Sequence, residues 1–243
     1  MNKTWIRTIM VVVVAAAVAF WVFFDKQRQQ HTPEQQLETT LNTMPAWQVI
    51  KEQEPALHQR ILDQIAALQK AGEPEQQIID TIQPQILHLQ MTRLQSAPDA
   101  NVVAYMTINM EQTAAIQKVS DDACFRFLYP AVKGGINPMR VLDNEIMARR
   151  MQADADMMRA AYGKDHHTVT PAEREAAVAD VRPIMKSLAD KYGEDIQLLQ
   201  MPEKAAGKEK LSCDMVQDMW AKVLKLPEPK AAGVIRLAVS ELD

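Results

Sequence analysis

Glycine is scarce in this chain, with seven in 243 residues. Phosphate cradles and sharp nucleophile turns lean on glycine, which enters the left-handed backbone region at little cost. Consistent with that, there is no Gly-x-Ser-x-Gly elbow, no Gly-x-x-x-x-Gly-Lys-Ser/Thr loop and no His-Glu-x-x-His zinc helix. Ser-x-x-Lys, a candidate acyl-transfer dyad, is also missing. Positive charge is not in surplus either: the formal net charge is −4 and the pI about 5.8, so no global basic field exists to grip nucleic acid. Alternating apolar and polar strand pairs are lacking too. The expectation is an all-α protein that is not an enzyme, with no catalytic residues, no cofactor and no metal site.

What is present begins with an uncharged run, Thr8–Phe24, rich in Val, Ala and Phe. A helix needs about 20 mostly apolar residues to cross a bilayer, and Trp5–Phe24 reaches that length if Arg7 snorkels. A cleaved signal peptide is the competing reading, since Ala17-Val18-Ala19 is a small-x-small triplet. Against cleavage, the apolar stretch continues through Phe20, Trp21, Val22, Phe23 and Phe24 before meeting Asp25, Lys26 and Arg28. The reading is therefore a bacterial inner-membrane protein, single-pass, with its C-terminal domain in the periplasm; the alternative is a secreted or periplasmic protein after signal cleavage. The chain divides into a short cytoplasmic tail (1–4), a transmembrane anchor (5–24), a Gln-rich polar stalk (25–32) and a helical domain (33–243), with a subdomain boundary around 130–138.

Two cysteines, Cys124 and Cys213, both fall in the exported part. In an oxidising compartment two thiols in one domain are expected to pair, and closing a loop of about 90 residues contributes about 4–5 kcal/mol in the chain-entropy account. Separately buried thiols are the other arrangement.

Helical periodicity runs through the domain. Thr32-Pro33-Glu34-Gln35 reads as a helix start, with Leu37, Leu41 and Met44 on one face. Further stripes are Leu57, Ile61, Ile65 and Leu68; Ile78, Ile82, Ile86 and Leu89, kinked at Pro84; and Val102, Met106 and Met110. Ala123–Tyr129 reads as a short apolar helix stopped by Pro130, with Asp121 as its cap and Phe125 and Leu128 inward. A long charged helix spans about Met139–Tyr162. Thr170-Pro171-Ala172-Glu173 repeats the start signal, a helix begins near Cys213, and a last one carries Val234, Leu237 and Leu242. The sum is about eight helices.

Candidate contact residues for a protein partner are Asp143, Arg149, Arg150 and Asp154 on the long helix, with Lys164, Asp165, His166 and His167 in the loop after it. Charged side chains at these spacings are otherwise a solvated helix face. His58 and His88 could meet across a hairpin turning near residue 73. Fifteen methionines, several at i, i+4 spacing (Met106/Met110, Met147/Met151, Met215/Met219), fit core filler, an adaptable binding surface or a soft copper site.

In layout the chain resembles the anchored periplasmic immunity and inhibitor proteins of bacterial secretion systems. That resemblance rests on anchor, helical domain and two cysteines, and it implies function by protein–protein binding in the envelope. A periplasmic chaperone or scaffold built as a helical-hairpin array, or a copper-handling envelope protein, is the alternative.

Overall fold

The computed structural model describes residues 43–240. The expected tail, anchor and stalk, the Thr32 helix start with Leu37 and Leu41, and Leu242 lie outside the described residues. Among those described, no helix is long and apolar enough to cross a membrane.

Ten α-helices and no strands make up the described chain: α1 (Pro45–Gln53), α2 (Pro55–Lys70), α3 (Glu75–Ser96), α4 (Asp99–Val119), α5 (Asp121–Leu128), α6 (Pro130–Lys133), α7 (Asn144–Ala161), α8 (Pro171–Tyr192), α9 (Glu209–Val223) and α10 (Glu228–Val239). The all-α expectation holds, with two more helices than the periodicity indicated. One of the additions is α1, nine residues between Met44 and Glu54 that bury Trp47, Val49 and Ile50.

Short punctuation sets the boundaries. Gly72, at φ +74°, turns α2 back along α3, and Gln85 of α3 donates to Gln64 of α2 at 2.7 Å. Pro84 sits inside α3, a helix that is continuous from Glu75 to Ser96. Proline is also the residue that separates α3 from α4, at Pro98. The cap of α5 is Ser120, whose hydroxyl accepts from the Ala123 N–H at 2.9 Å, where Asp121 was expected. The anticipated long helix from Met139 is shorter. A 3-10 turn, Pro138–Arg140, precedes it, and Asp143 caps α7 by accepting from the Ile146 N–H at 2.8 Å. At α8 the start signal is complete. Thr170 accepts from the Glu173 N–H, and the Glu173 carboxylate accepts from the Thr170 N–H at 2.8 Å.

Helix α4 is the hub, packing against α5, α7, α9 and α10. It therefore buries residues on several faces, including Val102, Tyr105, Met106 and Ile116. Three polar residues, Asn109, Gln112 and Thr113, are buried with them. Asn109 and Thr113 donate back to carbonyls four residues earlier, at 3.1 and 2.9 Å, which satisfies part of their hydrogen-bonding capacity within the helix. Helix α7 is enclosed by α1, α3 and α4, while α10 packs on α3, α4 and α8. Each fully buried Ile or Leu in this core, such as Ile61, Ile65 and Leu94, contributes about 1.5–3 kcal/mol relative to exposure.

Cys124 of α5 and Cys213 of α9 form a disulfide across a separation of 89 residues, with Cα atoms 6.3 Å apart and both side chains buried. The bond joins two helices that also pack directly on each other.

Candidate binding surface

The residues nominated from the sequence part company in space. Asp143 is exposed and occupied as the cap of α7. Arg149 is exposed and pairs with Glu111 of α4 at 2.8 Å. Lys164, Asp165 and His166 lie exposed in the loop between α7 and α8. His167 is half-buried: its backbone N–H donates to the Ser96 carbonyl at 2.8 Å, and its imidazole Nε2 lies 2.8 Å from the Glu173 carboxylate.

Arg150 and Asp154 are a correction to the surface reading. Both are completely buried, so neither can touch a partner in this fold. Enclosure of α7 on three sides turns this i, i+4 charged pair inward. The guanidinium meets the carboxylate at two points, Nη2–Oδ1 at 2.9 Å and Nε–Oδ2 at 3.2 Å. It also lies over the Tyr105 ring, 4.5 Å from its centroid, and donates to the Tyr105 hydroxyl at 3.1 Å. Burial pushes the Tyr105 hydroxyl up to about 12 against the opposing pull of Arg150, so it stays protonated. Burial likewise raises the Asp154 carboxyl, and the Arg150 charge works against that rise. This cluster welds α4 to α7 and is a structural element.

The Asp121–Pro130 segment is also largely core. Phe125, Phe127, Leu128 and Tyr129 are all buried, leaving Asp122 and Arg126 toward solvent. Arg126 donates to the carbonyls of Gly134 and Gly135 at 3.2 and 2.8 Å, holding the α6 exit against α5. Lys133 bridges Asp122 and Glu209 at 2.6 and 2.8 Å. Donating to these two carboxylates raises the Lys133 ammonium, and the Lys133 hydrogen bond lowers Glu209. An open depression nearby is lined by Asp121, Lys208, Glu209, Lys210 and Asp214, where charges of both signs alternate and leave no single-sign field.

His58 is buried and tilted against the Trp47 ring, with centroids 4.6 Å apart, whereas His88 is exposed. Met106, Met147, Met215 and Met219 belong to the buried core. Among the described residues, no group of three or more His, Cys, Asp or Glu is arranged to hold a metal ion.

Two features escaped the sequence. Tyr162, the C-cap of α7, is 63% exposed, yet the Arg93 guanidinium packs over its ring at 4.6 Å. Arg93 is itself nearly buried and pairs with Glu54 at 2.5 Å. The second is Arg236, a lone charge in the apolar run Ala231–Val239. It is buried, pairs with Asp99 at 2.7 Å and donates to the Ala97 carbonyl at 2.6 Å. An isolated arginine in an otherwise apolar helix was the available signal for it. Compared with protein-family models, curated proteins and solved structures, the chain matches none.

Proposed function

We propose that this is an exported, membrane-anchored helical protein of the bacterial envelope that acts by binding another protein, in the manner of an inhibitor, immunity or complex-accessory factor. The observation that carries the binding reading is Tyr162, an exposed aromatic packed against the buried Arg93 and standing two to four residues before the exposed Lys164, Asp165 and His166. Tyrosine and arginine dominate interface hot spots, and a side chain already ordered loses less entropy on binding. The Cys124–Cys213 bond supports export, because structural disulfides persist in oxidising compartments. A long uncharged N-terminal run, Thr8–Phe24, supports the anchor.

Affinity capture with the full chain in detergent from an envelope extract tests the reading. One near-stoichiometric partner is expected, and Tyr162→Ala is expected to weaken its binding by about 2 kcal/mol or more. Nothing captured above background, or a partner indifferent to Tyr162→Ala and Lys164→Glu, overturns it.

A further inference from the structure

A depression of about 560 Å³, including its open mouth, lies where α4, α8 and α9 meet. Its lining is polar throughout: Gln117 of α4, Lys191 and Tyr192 at the end of α8, and Asp214, Gln217 and Asp218 of α9. Lys191 is exposed, and the other five side chains are half-buried, so solvent reaches the site.

Much of this lining is already tied together. Gln117 donates to Asp121 and Asp214, both at 2.9 Å, and its Oε1 accepts from the Gln217 amide. Asp218 Oδ2 accepts from the Lys191 ammonium and, at 2.7 Å, from the Tyr192 hydroxyl. Lys210 closes on Asp214 Oδ2 at 2.6 Å. Gln217 also donates to the carbonyl of Cys213, which is bonded covalently to Cys124 of α5. A lining held in this way loses little further freedom when something binds.

What the network leaves over decides what fits. Among the described residues nothing donates to Asp218 Oδ1 or to Gln217 Oε1, and neither oxygen is sealed from solvent. The Lys191 ammonium keeps hydrogens beyond the one given to Asp218. Two acceptors and one donor therefore share a surface on which each carboxylate already faces a lysine. An anion entering here meets Asp214 and Asp218. A cation meets Lys191 and Lys210. Hydroxyls are neutral and both donate and accept, so a neighbouring pair can give hydrogens to the two oxygens while taking one from Lys191. The Tyr192 ring is the single apolar element of the wall, suited to the C–H surface of a sugar ring.

We infer that this depression binds a neutral saccharide, gripped through adjacent hydroxyls of one ring. The inference goes beyond the protein-binding reading and stands without it. Selectivity comes from a few placed polar groups, as in small-molecule sites generally.

The test uses the full chain in a detergent without a sugar headgroup, since a glucoside or maltoside would itself compete. Glucose, galactose, mannose and N-acetylglucosamine are titrated separately, with tetrahydropyran-2-methanol as a ring that carries one hydroxyl. NMR follows the side-chain amides of Gln117 and Gln217 and the backbone amides of Tyr192 and Asp218. Saturable shifts are expected with at least one saccharide and absent with the single-hydroxyl ring at the same concentration. No saturable shift with any of the four, or an equal response to the control ring, overturns the inference. Gln217→Leu removes one acceptor and is expected to weaken binding of the responding sugar about tenfold, read at Gln117 and Tyr192. Should that variant fail to fold, Lys191→Ala changes an exposed residue and is expected to weaken the same sugar about tenfold, read at Gln117 and Gln217. A folded variant of either kind that keeps the parent's affinity also overturns it.

Discussion

Arg150 and Asp154, one helical turn apart on α7, form a two-point ion pair shielded completely from water against Tyr105 of α4. Two charges in such a place cost desolvation energy that the pairing only roughly offsets, while a single unpaired charge is far worse. Asp154→Ala is therefore expected to destabilise the fold by about 3–5 kcal/mol, because it strands the guanidinium. The double variant Arg150→Met, Asp154→Leu is expected to lie much closer to the parent. Urea unfolding of the single and double variants measures both, and a double variant no better than the single one contradicts the argument.

Joining Cys124 to Cys213 constrains the unfolded chain over 89 residues. The double variant Cys124→Ala, Cys213→Ala is expected to lose about 4 kcal/mol of stability, read as a fall in denaturant midpoint. Titration of the denatured, unreduced protein is expected to find no free thiol.

The Thr170–Glu173 capping box orders the start of α8 and sets an acid dependence. Glu173 is held below the ordinary carboxylate range chiefly by the hydrogen bond from the Thr170 N–H, with smaller contributions from the Thr170 hydroxyl and His167. A lowered folded value means that this contribution is complete above the unfolded value of about 4.3 and is lost as pH falls through the folded value. Stability is thus expected to decline in that acid window, and Glu173→Gln to flatten the decline. The carboxylate is partly exposed, so the effect is small. Thermal unfolding from pH 6 down to pH 3 follows it. Thr170→Ala, which removes the cap itself, is expected to cost about 1 kcal/mol at neutral pH.

Gly233 lies inside α10, where a Cβ would meet the Ala177 Cβ of α8 at 3.7 Å, an ordinary packing distance. Gly233→Ala is expected to stabilise the protein by about 0.5–1 kcal/mol through helix propensity. A drop in melting temperature instead would mean that the close approach of α8 and α10 depends on the absence of a side chain at Gly233.

Local signals in the sequence carried far. The Thr170 box, the apolar stripes through Ile61, Ile78 and Val102, and the pairing of the two cysteines were all readable, because each depends on near neighbours or on simple counting. Helix α1 was not read, since its buried residues Trp47, Val49 and Ile50 make no repeating i, i+4 stripe. Arg150 and Asp154 misled for a different reason. An i, i+4 charged pair looks identical on a solvated face and inside a helix cluster, and only the packing of α1, α3 and α4 around α7 distinguishes them. The hydrogen bond from Gln95 to the Arg236 carbonyl joins residues 141 positions apart, beyond the reach of any pattern along the chain.

Because the crosslink spans residues 124–213, the whole of α6, α7 and α8 and the exposed loop around Lys164 lie inside a covalent ring. A protease that clips that loop opens the ring without releasing either half. The nicked molecule travels as one particle until a reductant reaches the buried sulfurs, so damage at the most accessible turn is invisible to size and shows only after reduction.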